Sequence, residues 1–231
     1  MILICLPYAG GSSVNYLPWQ SKINLKIKLH PVELKGRGRR LNEGLPSSID
    51  EVVEDIFNKE FLNLINKEEY ALFGHSMGGV IAYELYLKTL KLGKRLPKHI
   101  FFSGCEAPYT RSTNDISHNL PDEEFINKIV NLGGTPREVV EDINFKRYFL
   151  PIIKNDFKIL ENYKTVFKGE LLCDFSILYG NKDYTITVEG LKSWGGYSKN
   201  KLNLYKFEGD HFFINTDVDN ILNLINKILT D

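Results

Sequence analysis

Six short apolar runs recur along this chain, at Ile2 to Leu6, Leu25 to Leu34, Tyr70 to Phe73, His99 to Ser103, Asp174 to Tyr179 and Leu202 to Phe207. Most of the gaps between them hold segments whose apolar residues return every three or four positions: Ile49 to Ile65, Gly78 to Lys91, Thr187 to Trp194 and Val218 to Leu229. Strands and helices in alternation bury their apolar surfaces together as a mostly parallel sheet covered by helices on both faces, so an α/β fold is expected. A chain of 231 residues is long enough for one such domain spanning 1–231, and its length does not call for a second. The stretch from Ala107 to Gly169 breaks the rhythm, with helical segments but no convincing strand, and predicts a helical insertion over 107–169.

One turn in this pattern carries chemistry. Gly74-His75-Ser76-Met77-Gly78 sits between the apolar run Tyr70 to Phe73 and the helical pattern that follows, the setting of a nucleophile elbow. Gly-x-Ser-x-Gly alone turns up by chance in about one chain in ten of this length, given ordinary Gly and Ser frequencies. The flanking strand and helix are an independent requirement that most chance matches fail. A serine on a sharp strand-to-helix turn crowds its neighbours, which favours residues without a Cβ at 74 and 78. The helix that begins there offers unpaired N–H groups and a positive dipole end to a developing oxyanion.

A serine of this kind needs a base and an acid, which in this type of fold follow it in the order Ser, acid, His on loops beyond the strand ends. Of the histidines after Ser76, His99 opens a strand at its wrong end and His118 falls in the insertion. His211 directly follows the last strand, in Phe207-Glu208-Gly209-Asp210-His211-Phe212-Phe213, and is the candidate general base. His30 and His75 read as incidental. Asp183, in Tyr179-Gly180-Asn181-Lys182-Asp183 after the penultimate strand, is the favoured acid, with Glu106 its rival. Asp210 adjoins His211 too closely to orient its ring. A tetrahedral intermediate needs two converging donors; Met77 N–H is one, and the loop Leu6-Pro7-Tyr8-Ala9-Gly10-Gly11 after the first strand supplies the other, from Ala9 or, as second choice, Tyr8.

Charge and cysteine content narrow the partners. Lys plus Arg equals Asp plus Glu at 29 each, leaving no surplus to neutralise phosphates, so nucleic acid is not an expected partner. Three cysteines, at 5, 105 and 173, lack metal-binding spacing and an even count, which fits a reducing, cytoplasmic setting without disulfides or zinc. No signal peptide or membrane span is expected. Within the insertion, Phe145, Tyr148, Phe149, Ile152, Ile153 and Phe157 keep helical spacing, with Pro151 expected to kink or break the helix. That stripe fits packing on the core and also a lid whose aromatic face lines an acyl pocket.

The chain as a whole resembles the type II thioesterases, the stand-alone editing hydrolases of nonribosomal peptide and polyketide synthases. The resemblance rests on Leu6-Pro7-Tyr8-Ala9-Gly10-Gly11, Glu33-Leu34-Lys35-Gly36-Arg37-Gly38-Arg39-Arg40, Gly74-His75-Ser76-Met77-Gly78-Gly79 and Leu132-Gly133-Gly134-Thr135-Pro136. It continues in Leu150-Pro151, Asn155-Asp156-Phe157, Gly180-Asn181-Lys182-Asp183 and Gly209-Asp210-His211-Phe212-Phe213. Lys35 departs from the proline usual before Gly-Arg-Gly. The resemblance implies an α/β-hydrolase fold with a helical lid and a triad of Ser76, Asp183 and His211. It implies acyl thioesters on the phosphopantetheine arm of carrier proteins as substrates, no bound cofactor or metal, and a monomer. A general carboxylesterase or acyltransferase with the same triad, or a non-catalytic binding protein, are the rival readings. Lys35, Arg37, Arg39 and Arg40 form a basic loop, read either as a solvated loop or as a docking surface for an acidic carrier.

Overall fold

The six apolar runs pair side by side in one sheet. In the computed structural model, which describes residues 1–110, 116–164, 166–199 and 202–230, they form β1 (Ile2–Leu6), β2 (Lys28–Pro31), β3 (Tyr70–His75), β4 (His99–Ser103), β5 (Asp174–Gly180) and β6 (Leu204–Phe207). Every pairing is parallel and the order across the sheet is β2-β1-β3-β4-β5-β6. β2 is much shorter than the run expected over Leu25 to Leu34, because Leu25 points wholly into solvent and Asn24 Oδ1 holds Lys26 N–H in a turn.

The predicted helix over 49–65 is two helices, α1 (Ile49–Ile56) and α2 (Leu62–Lys67), joined by one π turn at Phe57–Phe61. Ser48 starts it by accepting Glu51 N–H at 3.1 Å. Phe57 and Phe61 on the widened turn are both buried, Phe61 edge-on to Tyr70. After it come α3 (Met77–Lys91), α4 (Asp122–Asn131), α5 (Arg137–Glu141), α6 (Leu150–Glu161), α7 (Val188–Ser193), α8 (Phe213–Thr216) and α9 (Val218–Thr230). On β1, Ile2, Ile4 and Leu6 enter the core layer built with Val52, Phe61 and Ile81, whereas Leu3 and Cys5 enter the opposite layer with Trp19, Ile221 and Ile225. A strand covered on both faces reads as an unbroken apolar run, which is how β1 appears in the sequence.

The segment between β4 and β5 has a small core of its own, made by Phe125, Ile129, Val140, Phe145, Leu150 and Ile153. It holds α4, α5, a π turn at Phe145–Phe149 and α6, and no strand among the described residues. Pro151 does not break the helix. The π turn at Phe145–Phe149 runs straight into α6, with Leu150 N–H donating to Phe145 O, so Pro151 lies within one continuous helical stretch, directly after the widened turn. No helix among the described residues is long and apolar enough to cross a membrane.

The order of strands fixes where loops can converge. The sheet runs from β1 toward β2 on one side and toward β3 on the other, and a crevice opens beyond the carboxyl ends at such a switch. Leu6, the end of β1, is in register with Gly74 near the end of β3, so the loops after residues 6 and 75 face each other. Their approach is tight. A Cβ at Gly74 would lie 2.1 Å from Gly78 O, and one at Gly78 would lie 2.2 Å from Leu6 O. Both obstacles are main chain, so neither can swing aside. Gly74→Ala should therefore destabilise the chain by about 1–3 kcal/mol or more in urea unfolding. Gly44→Ala, with nothing within 4 Å, should stay within about 1 kcal/mol of the parent.

Candidate active site

Ser76 closes β3 and opens α3 with φ 52° and ψ −114°, and it is the only non-glycine residue with positive φ among those described. Such backbone costs on the order of 1–3 kcal/mol, held here by Ser76 N–H donating to Ser103 O at 2.8 Å and Ser76 O accepting Gly79 N–H at 2.9 Å. The strain lifts the side chain off the turn into open space. Ser76 lines two adjoining cavities, of about 180 Å³ and about 360 Å³, which also share Ala9, Leu132, Phe157 and His211 in their walls.

His211 and Asp183 meet as the sequence predicts. His211 Nδ1–H donates to Asp183 Oδ2 at 2.8 Å, which leaves Nε2 free to accept a proton. Ser76 Oγ makes no hydrogen bond among the described residues; contacts between nucleophile and base often tighten only once substrate is bound. Burial would raise the Asp183 carboxyl, but hydrogen bonds from His211 and Thr185, with the charge of His211, outweigh it and hold Asp183 below its ordinary value. The charged aspartate can then stabilise an imidazolium on His211.

Thr185 was not foreseen. Its Oγ1–H donates to Asp183 Oδ1 at 2.6 Å, its N–H donates to the same oxygen at 3.0 Å, and Oγ1 also stands 3.1 Å from His211 Nδ1. The signal was present as Asp-x-Thr, the spacing of a side chain that bonds the main chain two residues on. Glu106, the rival acid, is engaged elsewhere: Oε1 accepts both Thr187 N–H at 2.8 Å and Thr187 Oγ1–H at 2.7 Å where α7 begins. Asp210 turns away to accept Phe212 N–H at 2.8 Å.

His75 is not incidental. It is fully buried with its ring 5.0 Å from that of His211 and Nδ1 3.0 Å from Ser103 Oγ, while Nε2 has no hydrogen-bond partner among the described residues. Burial, with the nearby charge of His211 second, pushes it well below the usual imidazole range. A neutral ring there packs against His211 without opposing a positive charge on it. Gly104, at φ 57°, makes the room, since a Cβ on it would stand 2.5 Å from His75 Cε1.

The loop after β1 supplies a second set of main-chain donors. Gly11 N–H donates to Tyr8 O at 2.8 Å with Gly10 at φ 77°, a turn that needs glycine at its third position. Neither Ala9 N–H nor Met77 N–H is taken by a hydrogen bond among the described residues, and Ala9 lines both cavities, whereas Tyr8 lines one. The smaller cavity is walled by Ile129, Phe145, Phe149, Ile153 and Phe157, so the aromatic stripe of the insertion is partly core and partly cavity wall. The larger one adds Glu106, Lys128, Glu161 and Tyr184. The basic loop is neither solvated as a whole nor a docking patch. Arg37 is buried against Asp156, Arg40 is buried between Glu43 and Asp55, and Lys35 bonds Glu51, which leaves Arg39 exposed.

Residues 1–229 match a family model described as a thioesterase domain. The medium-chain S-acyl fatty acid synthase thioesterase of Rattus norvegicus is 32% identical over 92% of this chain and 81% of its own length. The crystal structure of ClbQ from the colibactin NRPS/PKS pathway superposes with a TM-score of 0.92 at 35% identity, covering 99% of this chain and 96% of that one. The type II thioesterase BorB from the borrelidin biosynthetic cluster gives 0.88 at 32% identity, with 99% and 92% covered.

Asp183→Asn should slow capture of Ser76 by a fluorophosphonate about 10³- to 10⁴-fold, the scale expected when a triad aspartate loses its charge. Glu106→Gln should leave the rate unchanged. The depressed carboxyl of Asp183 also contributes stability that is complete above its unfolded value of about 3.9 and lost as pH falls through its lower folded value. Urea unfolding across that acid window should show a shallower pH dependence in Asp183→Asn than in the parent.

Proposed function

This chain belongs to the thioesterase domain family and is a thioester hydrolase, and from that premise we propose that it clears acyl groups from the phosphopantetheine arms of carrier proteins, as an editing enzyme of a nonribosomal peptide or polyketide synthase. The observation that carries this reading is the meeting of two unlike cavities at Ser76. A carrier-bound thioester has an acyl chain on one side of the reacting carbon and an amide-rich arm on the other. The aromatic cavity suits the acyl chain; the larger cavity, with Glu106, Lys128, Glu161 and Tyr184, suits the arm. The helical insertion, whose phenylalanines wall the first cavity, then acts as the lid.

In the mechanism we assign, Ser76 Oγ attacks the thioester carbonyl as His211 Nε2 takes its proton, and Asp183 with Thr185 holds the imidazolium in orientation. The oxyanion forms between Met77 N–H, at the positive end of α3, and Ala9 N–H. Collapse breaks the carbon–sulfur bond. A thiol has an ordinary pKa of about 8.5, so the thiolate departs with little help from an acid, and His211 is free to return its proton to sulfur. Water, deprotonated by His211, then attacks the acyl-serine; the second intermediate releases the free acid and restores Ser76. The residues present perform every step without a metal or organic cofactor, since the arm belongs to the substrate.

Intact-protein mass spectrometry of acylated carrier proteins tests this. The parent chain should remove the acyl mass, and Ser76→Ala should lose turnover on the order of 10⁶-fold, as expected for the loss of a triad serine. A higher kcat/KM on nitrophenyl esters than on acyl-carrier proteins would instead make the chain a general esterase.

A further inference from the structure

The lid touches the oxyanion loop through a buried ion pair that the mechanism above does not use. Gly10 N–H donates to Asp156 Oδ2 at 2.7 Å. Arg37 donates to the same oxygen from Nη1 at 2.6 Å, to Oδ1 from Nη2 at 2.7 Å, and from Nη1 to Gly11 O at 3.0 Å. Asp156 is wholly buried and Arg37 is 3% exposed. Ile153, one turn earlier on α6, lies so close that a Cβ on Gly10 would stand 2.5 Å from its Cγ1. One face of a lid helix thus rests directly on the turn from Tyr8 to Gly11.

A buried ion pair is poor at adding net stability, because taking two charges out of water costs several kcal/mol per ion, and apolar replacements are often as stable. Its geometric effect here is specific. Ala9 N–H belongs to the peptide unit that carries Tyr8 O, and Gly11 N–H fixes that oxygen. The next peptide unit ends in Gly10 N–H, which Asp156 fixes. Both peptides flanking the Ala9 Cα are therefore held, one by the turn itself and the other from the lid.

We propose that Asp156, seated by Arg37, is a positioning residue that aims Ala9 N–H at the oxyanion and makes this alignment depend on the lid being docked. The proposal rests on the reading of Ser76, His211 and Ala9 as the active site. Its consequence is that a carrier-borne substrate meets a complete oxyanion site only under a closed lid, so hydrolysis is coupled to lid seating through the hydrogen bond from Gly10 N–H to Asp156.

The test separates positioning from folding. The double variant Arg37→Met with Asp156→Leu removes both charges while keeping apolar bulk, and it should melt near the parent temperature with KM for an acyl-carrier protein within about twofold. Its kcat, and its rate of fluorophosphonate capture at Ser76, should each fall at least tenfold, approaching the roughly 10²- to 10³-fold loss that follows deletion of an oxyanion donor. Parent-like kcat and capture rate in that variant would overturn the proposal. Should the double variant not fold, Arg37→Gln with Asp156→Ala serves in its place: it too leaves no buried charge and removes every acceptor for Gly10 N–H at this position, and an unchanged kcat would equally overturn the proposal. Failure of the parent chain to react at Ser76 would instead refute the active-site reading, a separate outcome from either.

Discussion

The end of β1 and the first turn of α3 lie closer together than any side chain permits. With Leu6 O only 2.2 Å from where a Cβ of residue 78 would stand, and Gly78 O 2.1 Å from that of residue 74, the elbow can exist only as a stretch of bare main chain. The reactive architecture follows from this approach. It goes with the positive-φ conformation of Ser76, brings the loop after β1 within reach of Ser76, and turns the start of α3 toward the same point. The sheet makes such closeness possible because β1 and β3 are adjacent parallel strands in register at Leu6 and Gly74.

Around that point the chain keeps its charges either paired or neutral. Asp183 is surrounded by donors from Thr185 and His211, Asp156 by donors from Arg37 and Gly10, and His75 is held uncharged by burial. In a dry site an uncompensated charge would act on the transition state as strongly as an intended one.

Much of this was legible in the sequence, for reasons that also explain the rest. Both faces of β1 and β3 are covered, so each reads as an apolar run; β2, at the edge, has less to bury and its extent was overestimated. Ser76 announces itself through glycines forced by main-chain contact, and Asp183 and His211 lie where strand-end loops must lie. Thr185 is a local partner and left only a weak trace. Arg37 and Asp156 left none that spacing could reveal, since they are 119 residues apart and look in sequence like surface charges of a basic loop and an amphipathic helix. The position of Pro151 is a lesson in the same vein: the helix continues through it after a π turn at Phe145–Phe149, and a widened turn leaves no periodic mark in the sequence.

Gly133 and Gly134 have a bearing on the birth of the protein as well as on its chemistry. A Cβ on Gly133 would stand 2.1 Å from Asp210 Oδ2, and one on Gly134 would stand 2.4 Å from Phe212 Cε2, so the insertion and the histidine loop pack closely there. The histidine loop lies near the carboxyl end of the chain, after the last strand. A ribosome-bound chain that has emerged only through the insertion therefore holds Ser76 but neither His211 nor the loop that Gly133 and Gly134 pack against. On the reading of Ser76 and His211 as nucleophile and base, such a chain carries the one without the other, and the two glycines find their partners only when the loop after β6 has followed.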